Sequence, residues 1–396
     1  MPLSPIKATE EAPVAAPRQL RLPLDPVVTF AVVGLAVCSI VTLGVATQDL
    51  VPGQPNYYVN RQLIYLIVGL VGMIVLSRLD YARLRQFKNG IYALLILSIL
   101  AVLALGHAAR GSQRAINLPF FSFQASELGK VLLILAIAAF VVDRARRLRE
   151  RETTARVMIA ALVPAMFVIA QPDLGSGMVY MVVAFTMLFV AGTAWRHLAS
   201  LLVLVAVSLT FVLVAAPAAG VHVLKPYQVA RLTAFLHPSS NPLKEGYQQQ
   251  ESKIAIGAGQ KFGRGSNASQ VPNGFVPERH TDFIFAAVGE RYGFVGAALV
   301  LLLYALLIWR TIGVLVMAKD LFGSLIAAGI AAMLMFQVFV NVGMTIGIMP
   351  ITGVTLPLMS YGGSSVITTL LAVGLLQSIY VQARASASLK GRVLRY

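Results

Sequence analysis

Apolar residues along this chain come in unbroken blocks, not in the alternation of a strand or the one-sided stripe of a soluble helix. Ten blocks approach the ~20 residues that a bilayer core demands of a helix. They lie at about 27–47, 57–77, 89–106, 124–142, 157–171, 173–193, 198–218, 283–309, 321–348 and 356–382. The pattern predicts an all-α, polytopic membrane protein with one membrane domain over 27–383 and polar tails at 1–26 and 384–396. Pro172 separates the fifth block from the sixth. One long polar interval, about 219–281, divides the seventh from the eighth. An interval of that length inside a compact bundle is functional or disordered. Its apolar stretches, Val229 to Leu236 and Ile254 to Phe262, predict short amphipathic helices folded back on the membrane surface.

Composition sharpens this picture. Hydrophobic residues make up 58% of the chain and charged residues 12%, with a mean hydropathy of +0.78, which excludes an ordinary soluble domain. Cys38, the sole cysteine, sits within an apolar block, so no disulfide framework exists. The first 26 residues lack the apolar centre of a cleavable signal peptide. No internal repeat is found, which weighs against a transporter built from inverted halves.

The formal charge of +16 would fit nucleic acid, but the placement of the charges argues for membrane lipids and no nucleic acid. With the N-terminus inside, 20 of the 32 basic residues fall on the cytoplasmic side, as the positive-inside rule requires. Both termini are then cytoplasmic. The other 12 cations, among them Arg114, Lys253, Arg264 and Arg279, face outward, where the rule predicts few. They suggest an anionic ligand handled at the outer leaflet.

Four constellations could carry chemistry. Glu278, Arg279, His280 and Asp282 stand together at the mouth of the eighth block. Ionisable groups at such a place are costly and commonly functional. Asp282 would cap the helix or serve as a general base, its pKa raised by low-dielectric surroundings. Glu127 and Lys130, three residues apart, share a helix face and can pair; Lys130 would alternatively meet an anionic headgroup. Asp173 follows helix-breaking Pro172 and can cap the sixth helix, or help to hold the geometry of a site or a cation. Ser360-Tyr-Gly-Gly-Ser-Ser365 offers close helix approach, or hydroxyls such as those of Ser360 and Ser364 for phosphate and sugar. Gln337 and Asn341 read as interhelical hydrogen-bonders. The Gly-rich stretch at Gly257, Gly259, Gly263 and Gly265 is no Walker or dinucleotide loop, though the cations around it would suit a diphosphate. No metal-ligand cluster is apparent.

Five segments together resemble the SEDS (shape, elongation, division and sporulation) family of cell-wall polymerases. They are Gln124-Ala-Ser-Glu-Leu-Gly-Lys130, Gln171-Pro-Asp-Leu-Gly175, Gly246-Tyr-Gln through Ile254-Ala-Ile-Gly257, Pro277-Glu-Arg-His-Thr-Asp-Phe-Ile-Phe285 and Leu356-Pro-Leu-Met-Ser-Tyr-Gly-Gly-Ser-Ser365. The resemblance implies a ten-span peptidoglycan glycosyltransferase of the cytoplasmic (inner) membrane. Its substrate would be lipid II, a disaccharide-pentapeptide on undecaprenyl diphosphate, polymerised at the outer face. The family's essential aspartate corresponds to Asp282 and its Glu and Lys pair to Glu127 and Lys130. Pro350-Ile-Thr-Gly353 is similar to the elongation branch, which implies a class B penicillin-binding protein as transpeptidase partner. No cofactor is implied, although a divalent cation would suit a diphosphate leaving group. Ala115, Ala125 and Arg291 depart from the family's usual residues. A lipid-linked precursor flippase, a division polymerase and a silent scaffold are the competing readings.

Overall fold

The computed structural model describes residues 24–105, 115–117, 121–218, 228–229, 231, 235, 245–268, 270–271 and 274–393. Eleven helices organise the described chain: α1 Pro26–Ala46, α2 Tyr57–Arg78, α3 Lys88–Leu105, α4 Ala125–Asp143, α5 Arg151–Ala170, α6 Leu174–Val190, α7 Trp195–Thr210, α8 Glu245–Gly259, α9 Ile284–Met317, α10 Leu321–Ile346 and α11 Gly363–Val393. A two-residue antiparallel pair, β1 Ile116–Asn117 with β2 Ser122–Phe123, precedes α4. Among the described residues, nine helical stretches are long and apolar enough to cross a membrane, and α6, with 17 residues, is a shorter apolar tenth. The chain is a multi-pass, all-α membrane protein.

Local chemistry starts these helices where the chain allows. Asp25 accepts from the Val27 and Val28 N–H groups at 3.0 and 3.1 Å, with Pro26 first in α1. Asp320 accepts from Gly323 N–H at 2.7 Å to open α10, and Gly347 closes it in the left-handed conformation at φ 84°. The Asp25 carboxylate also binds Arg310 of α9 at 2.5 Å, and the Asp25 backbone N–H and carbonyl exchange hydrogen bonds with the Gln377 side chain of α11, so one buried residue fastens three helices.

α4, α10 and α11 are mostly buried and form the centre; α7 is almost wholly exposed along its length. α2 lies along α11, α1 along α9, and α10 touches α4, α6 and α9. Pro164 lies inside α5, so the Ala160 carbonyl, one turn earlier, has no helical N–H to accept. The Tyr92 hydroxyl of α3 donates to that carbonyl at 3.1 Å. In hydrocarbon such a group must find a donor within the protein. Tyr92→Phe is therefore expected to cost about 1 kcal/mol, measurable as a lowered unfolding midpoint of the purified protein.

Several boundaries differ from the hydropathy pattern. α5 begins at Arg151, not near 157, because its first turn is polar yet helical, with Glu152 and Arg156 paired one turn apart. α9 continues to Met317. The tenth span begins at Gly363, not near 356: Leu356, Leu358 and Met359 are fully buried in an irregular segment within the bundle. At its other end the same helix runs through most of the expected tail, to Val393.

Of the two amphipathic helices expected between α7 and α9, the second is α8, which begins earlier than the apolar stretch, at Glu245. The first, 229–236, falls mostly outside the described residues.

Candidate active site

α9 is broken at Gly293, whose backbone (φ 64°, ψ −159°) leaves the helix. The break leaves polar backbone groups without helical partners, and the turn that follows α8 supplies them. Phe294 and Val295 N–H donate to the Gln260 and Lys261 carbonyls at 2.8 and 3.1 Å, while Arg264 N–H donates to the Glu290 carbonyl at 2.9 Å. The approach is so close that a Cβ on Gly259 would overlap the Gly289 carbonyl. The Gly-rich stretch is thus a packing device. Gly259→Ala is expected to cost about 1–3 kcal/mol through overpacking. Gly257→Ala, with open space around it, is expected to be neutral or stabilising by up to about 1 kcal/mol. Thermal unfolding of the two variants side by side checks this.

The short first half of α9 follows directly on Asp282, which is partly exposed. The residue in the cap position of the helix is Phe283, one place after Asp282. Its backbone is held from three directions. Asn341 of α10 donates through Nδ2 to the Asp282 carbonyl at 2.8 Å and to the Val354 carbonyl at 2.7 Å. Ser360 Oγ donates to the Thr281 carbonyl at 2.6 Å, and Tyr361 N–H donates to the His280 carbonyl at 2.8 Å. The His280 ring sits 4.9 Å from Tyr58 of α2 and 5.9 Å from Tyr361, centre to centre. Burial, reinforced by Tyr65, raises the pKa of the Tyr361 phenol above its ordinary value, against the opposing charge of Arg61, so it stays a neutral donor.

Arg279 is buried and donates to the Val271 carbonyl. Glu290, wholly buried, accepts from Gln270 and Val271 N–H at 2.8 Å each. The two side chains clamp one turn of the outer segment from both sides. Burial lowers the Arg279 pKa from its ordinary value, with the Asp49 charge opposing that shift.

A second cluster meets the first through the start of α11. Ser126 Oγ donates to Asp173 Oδ2 at 2.8 Å, Gln124 Nε2 to the same oxygen at 3.2 Å, and Asp173 Oδ1 accepts from Ser176 N–H at 3.1 Å. Asp173 is therefore the cap of α6, as its position after Pro172 predicts. Gln124 N–H donates to Ser364 Oγ at 2.9 Å, and that hydroxyl donates to the Ser122 carbonyl at 2.8 Å. Ser360 serves one cluster and Ser364 the other. They are four positions apart along the chain, limiting the gap between their Cα atoms to about 14 Å. One turn into α4, Lys130 binds Glu127 at 2.8 Å, with both side chains buried (2% and 6% exposed).

The remaining expected positions lie elsewhere. Lys253 is exposed on α8 with its side chain over Gly347. Arg264 is exposed and donates through Nε to the Ala258 carbonyl at 3.2 Å. Arg114 falls outside the described residues. Asn341 bonds across elements as expected, while Gln337 is buried with its side-chain oxygen unpartnered among the described residues. Asn341, Glu290, Ser126 and Tyr58 were not singled out as site residues by the sequence; a polar residue amid an apolar block was the one available signal, and it marks Asn341. Among the described residues no three of His, Cys, Asp and Glu converge. A divalent cation beside Asp282 would take most of its ligands from diphosphate and water.

Residues 24–385 match the FtsW/RodA/SpoVE family model, described as cell cycle protein. The chain is 34% identical over 400 residues to a probable peptidoglycan glycosyltransferase FtsW of Thioalkalivibrio sulfidiphilus, covering 98% of this chain and 97% of the relative. It is also 34% identical over 362 residues to the peptidoglycan glycosyltransferase MrdB of Escherichia coli K12, covering 91% and 94%. Among solved structures it resembles a chain from work on the structural coordination of polymerization and crosslinking by a peptidoglycan synthase complex, with TM-score 0.78, 33% identity, and 91% and 99% covered. The rod shape determining protein RodA of Thermus thermophilus matches at TM-score 0.65 and 30% identity, with 92% and 98% covered.

Proposed function

Because this chain belongs to the FtsW/RodA/SpoVE family, we propose that it is a peptidoglycan glycosyltransferase that polymerises lipid II into glycan strands at the outer face of the cytoplasmic membrane. The observation that carries the reading is the setting of Asp282. It is a partly exposed carboxylate on a backbone fixed by Asn341, Ser360 and Tyr361, at the entrance to a broken membrane helix. A base held this way can take the proton from an acceptor sugar hydroxyl as that oxygen attacks the anomeric carbon of the donor. The departing diphosphate needs positive charge, the electrostatic contribution that is often largest in such reactions. Lys130 and the outward-facing cations are the groups available to supply it.

The elongation role is the finer part of the proposal. Relatives named FtsW and MrdB match at equal identity, so the branch is argued from Pro350-Ile-Thr-Gly353, where a division polymerase would be expected to carry lysine in place of Thr352. The peptidoglycan synthase complex among the similar structures supports a class B penicillin-binding protein as partner. The excess of cations on one set of connections supports cytoplasmic termini.

The test is purified protein given labelled lipid II, with and without such a transpeptidase. Glycan polymer is the expected product. Passage of lipid II across liposome walls without polymer would replace this reading with a flippase.

A further inference from the structure

Over the half of α4 away from Asp173 and Ser364, from about 17 to about 28 Å along the helix axis, α3, α4 and α5 leave a groove of about 630 Å³. Its size lies within the ~300–1,000 Å³ of ordinary ligand sites. Ala93, Ala136 and Ala160, one from each helix, hollow it out, and Phe140, Ile137 and Ile159 line it. Tyr92, anchored on the carbonyl that Pro164 releases, holds α3 to α5 beside it. The groove shares Lys88 and Arg144 with a second, polar cavity of about 670 Å³, lined also by Asp143, Arg146 and Arg147.

We propose that this joined apolar trough and cationic mouth is a binding site for one anionic diacyl phospholipid, with an acyl chain between the helices and the phosphate at Lys88 and Arg144. Charge complementarity carries the assignment. Arg85, Lys88 and the six arginines of 144–156 face three carboxylates, Asp143, Glu150 and Glu152. Arg85 and Lys88 share Asp143, so the mouth keeps positive charge after pairing. Arg144 lies over the Phe140 ring at 3.8 Å, which places its cation where trough and mouth meet. Arg156 pairs with Glu152, but both are largely exposed (52% and 67%), and such pairs are weak enough to give way to a phosphate. The site is separate from the Asp282 and Lys130 clusters and does not depend on the proposed reaction.

The experiment is native mass spectrometry of the full-length protein in detergent, titrated with dioleoyl phosphatidylglycerol or dioleoyl phosphatidylcholine. One phosphatidylglycerol is expected to be retained at least about tenfold more tightly than phosphatidylcholine. Lys88→Gln with Arg144→Gln should remove that preference. Ala93→Phe, which fills the trough and keeps the charges, should weaken both lipids. Arg196→Gln, at the start of α7 and outside the groove, should change nothing. Equal retention of the two lipids by the wild type would overturn the proposal. So would an Arg196→Gln loss as large as that of the double variant, since a diffuse basic belt would then explain the binding.

Discussion

Asp282→Asn is expected to lower lipid II polymerisation by about 10²–10⁴-fold, the range for removing a positioned general base. The substitution keeps the side chain's size, and the Asp282 bond with Asn341 is made by the backbone carbonyl. The clamp on this loop should therefore survive, with the unfolding midpoint nearly unchanged. Product length and rate from labelled lipid II, measured beside a melting curve, separate chemistry from folding. Polymer from the Asn variant at the wild-type rate would remove Asp282 as the base.

The second large effect lies at Lys130. Its ammonium and the Glu127 carboxylate are buried together, and truncating one member of such a pair leaves an uncompensated charge, at about 3–5 kcal/mol. Lys130→Met should accordingly melt well below the wild type. Adding Glu127→Gln removes the stranded charge, and the double variant should recover most of the lost stability. If it does not, the cost of Lys130→Met is packing and not electrostatics. Its polymerisation then carries separate information: a stable but inactive double variant points to a part for the pair in the reaction, whereas regained activity makes it a brace for the end of α4.

How far the sequence foretells this molecule depends on what each element answers to. Spans were legible because lipid demands unbroken apolar length, and most helix ends fall within a few residues of the expected ones. The failures have a common physical cause. Hydropathy reports where a segment is dry, not where it is helical. Leu356, Leu358 and Met359 are as dry as any span but form a buried irregular segment, while the Arg151 to Arg156 turn is polar and helical.

Within the site, Asp173 and the Glu127–Lys130 pair could be read because their partners are close in sequence. Asn341 was visible as a polar residue in a membrane helix, but its attachment to the Asp282 carbonyl spans 59 residues and has no local signature. Glu290 holds a turn 19 and 20 residues before it. The Gly-rich stretch is no Walker or dinucleotide loop by its sequence, and the backbone that Gly259 and Gly263 approach lies about thirty residues further on, a contact with no local signature.

The splice between α8 and α9 makes the surface helix and the membrane helix mutually dependent. Peeling away α8 with the Gln260–Lys261 turn that follows it would leave the amides of Phe294 and Val295 without acceptors, at about 1–3 kcal/mol apiece if nothing replaced them. Any displacement of this outer helix would therefore also pull on the nine-residue stub that follows Asp282, against the hold that Asn341, Ser360 and Tyr361 keep on the loop before it.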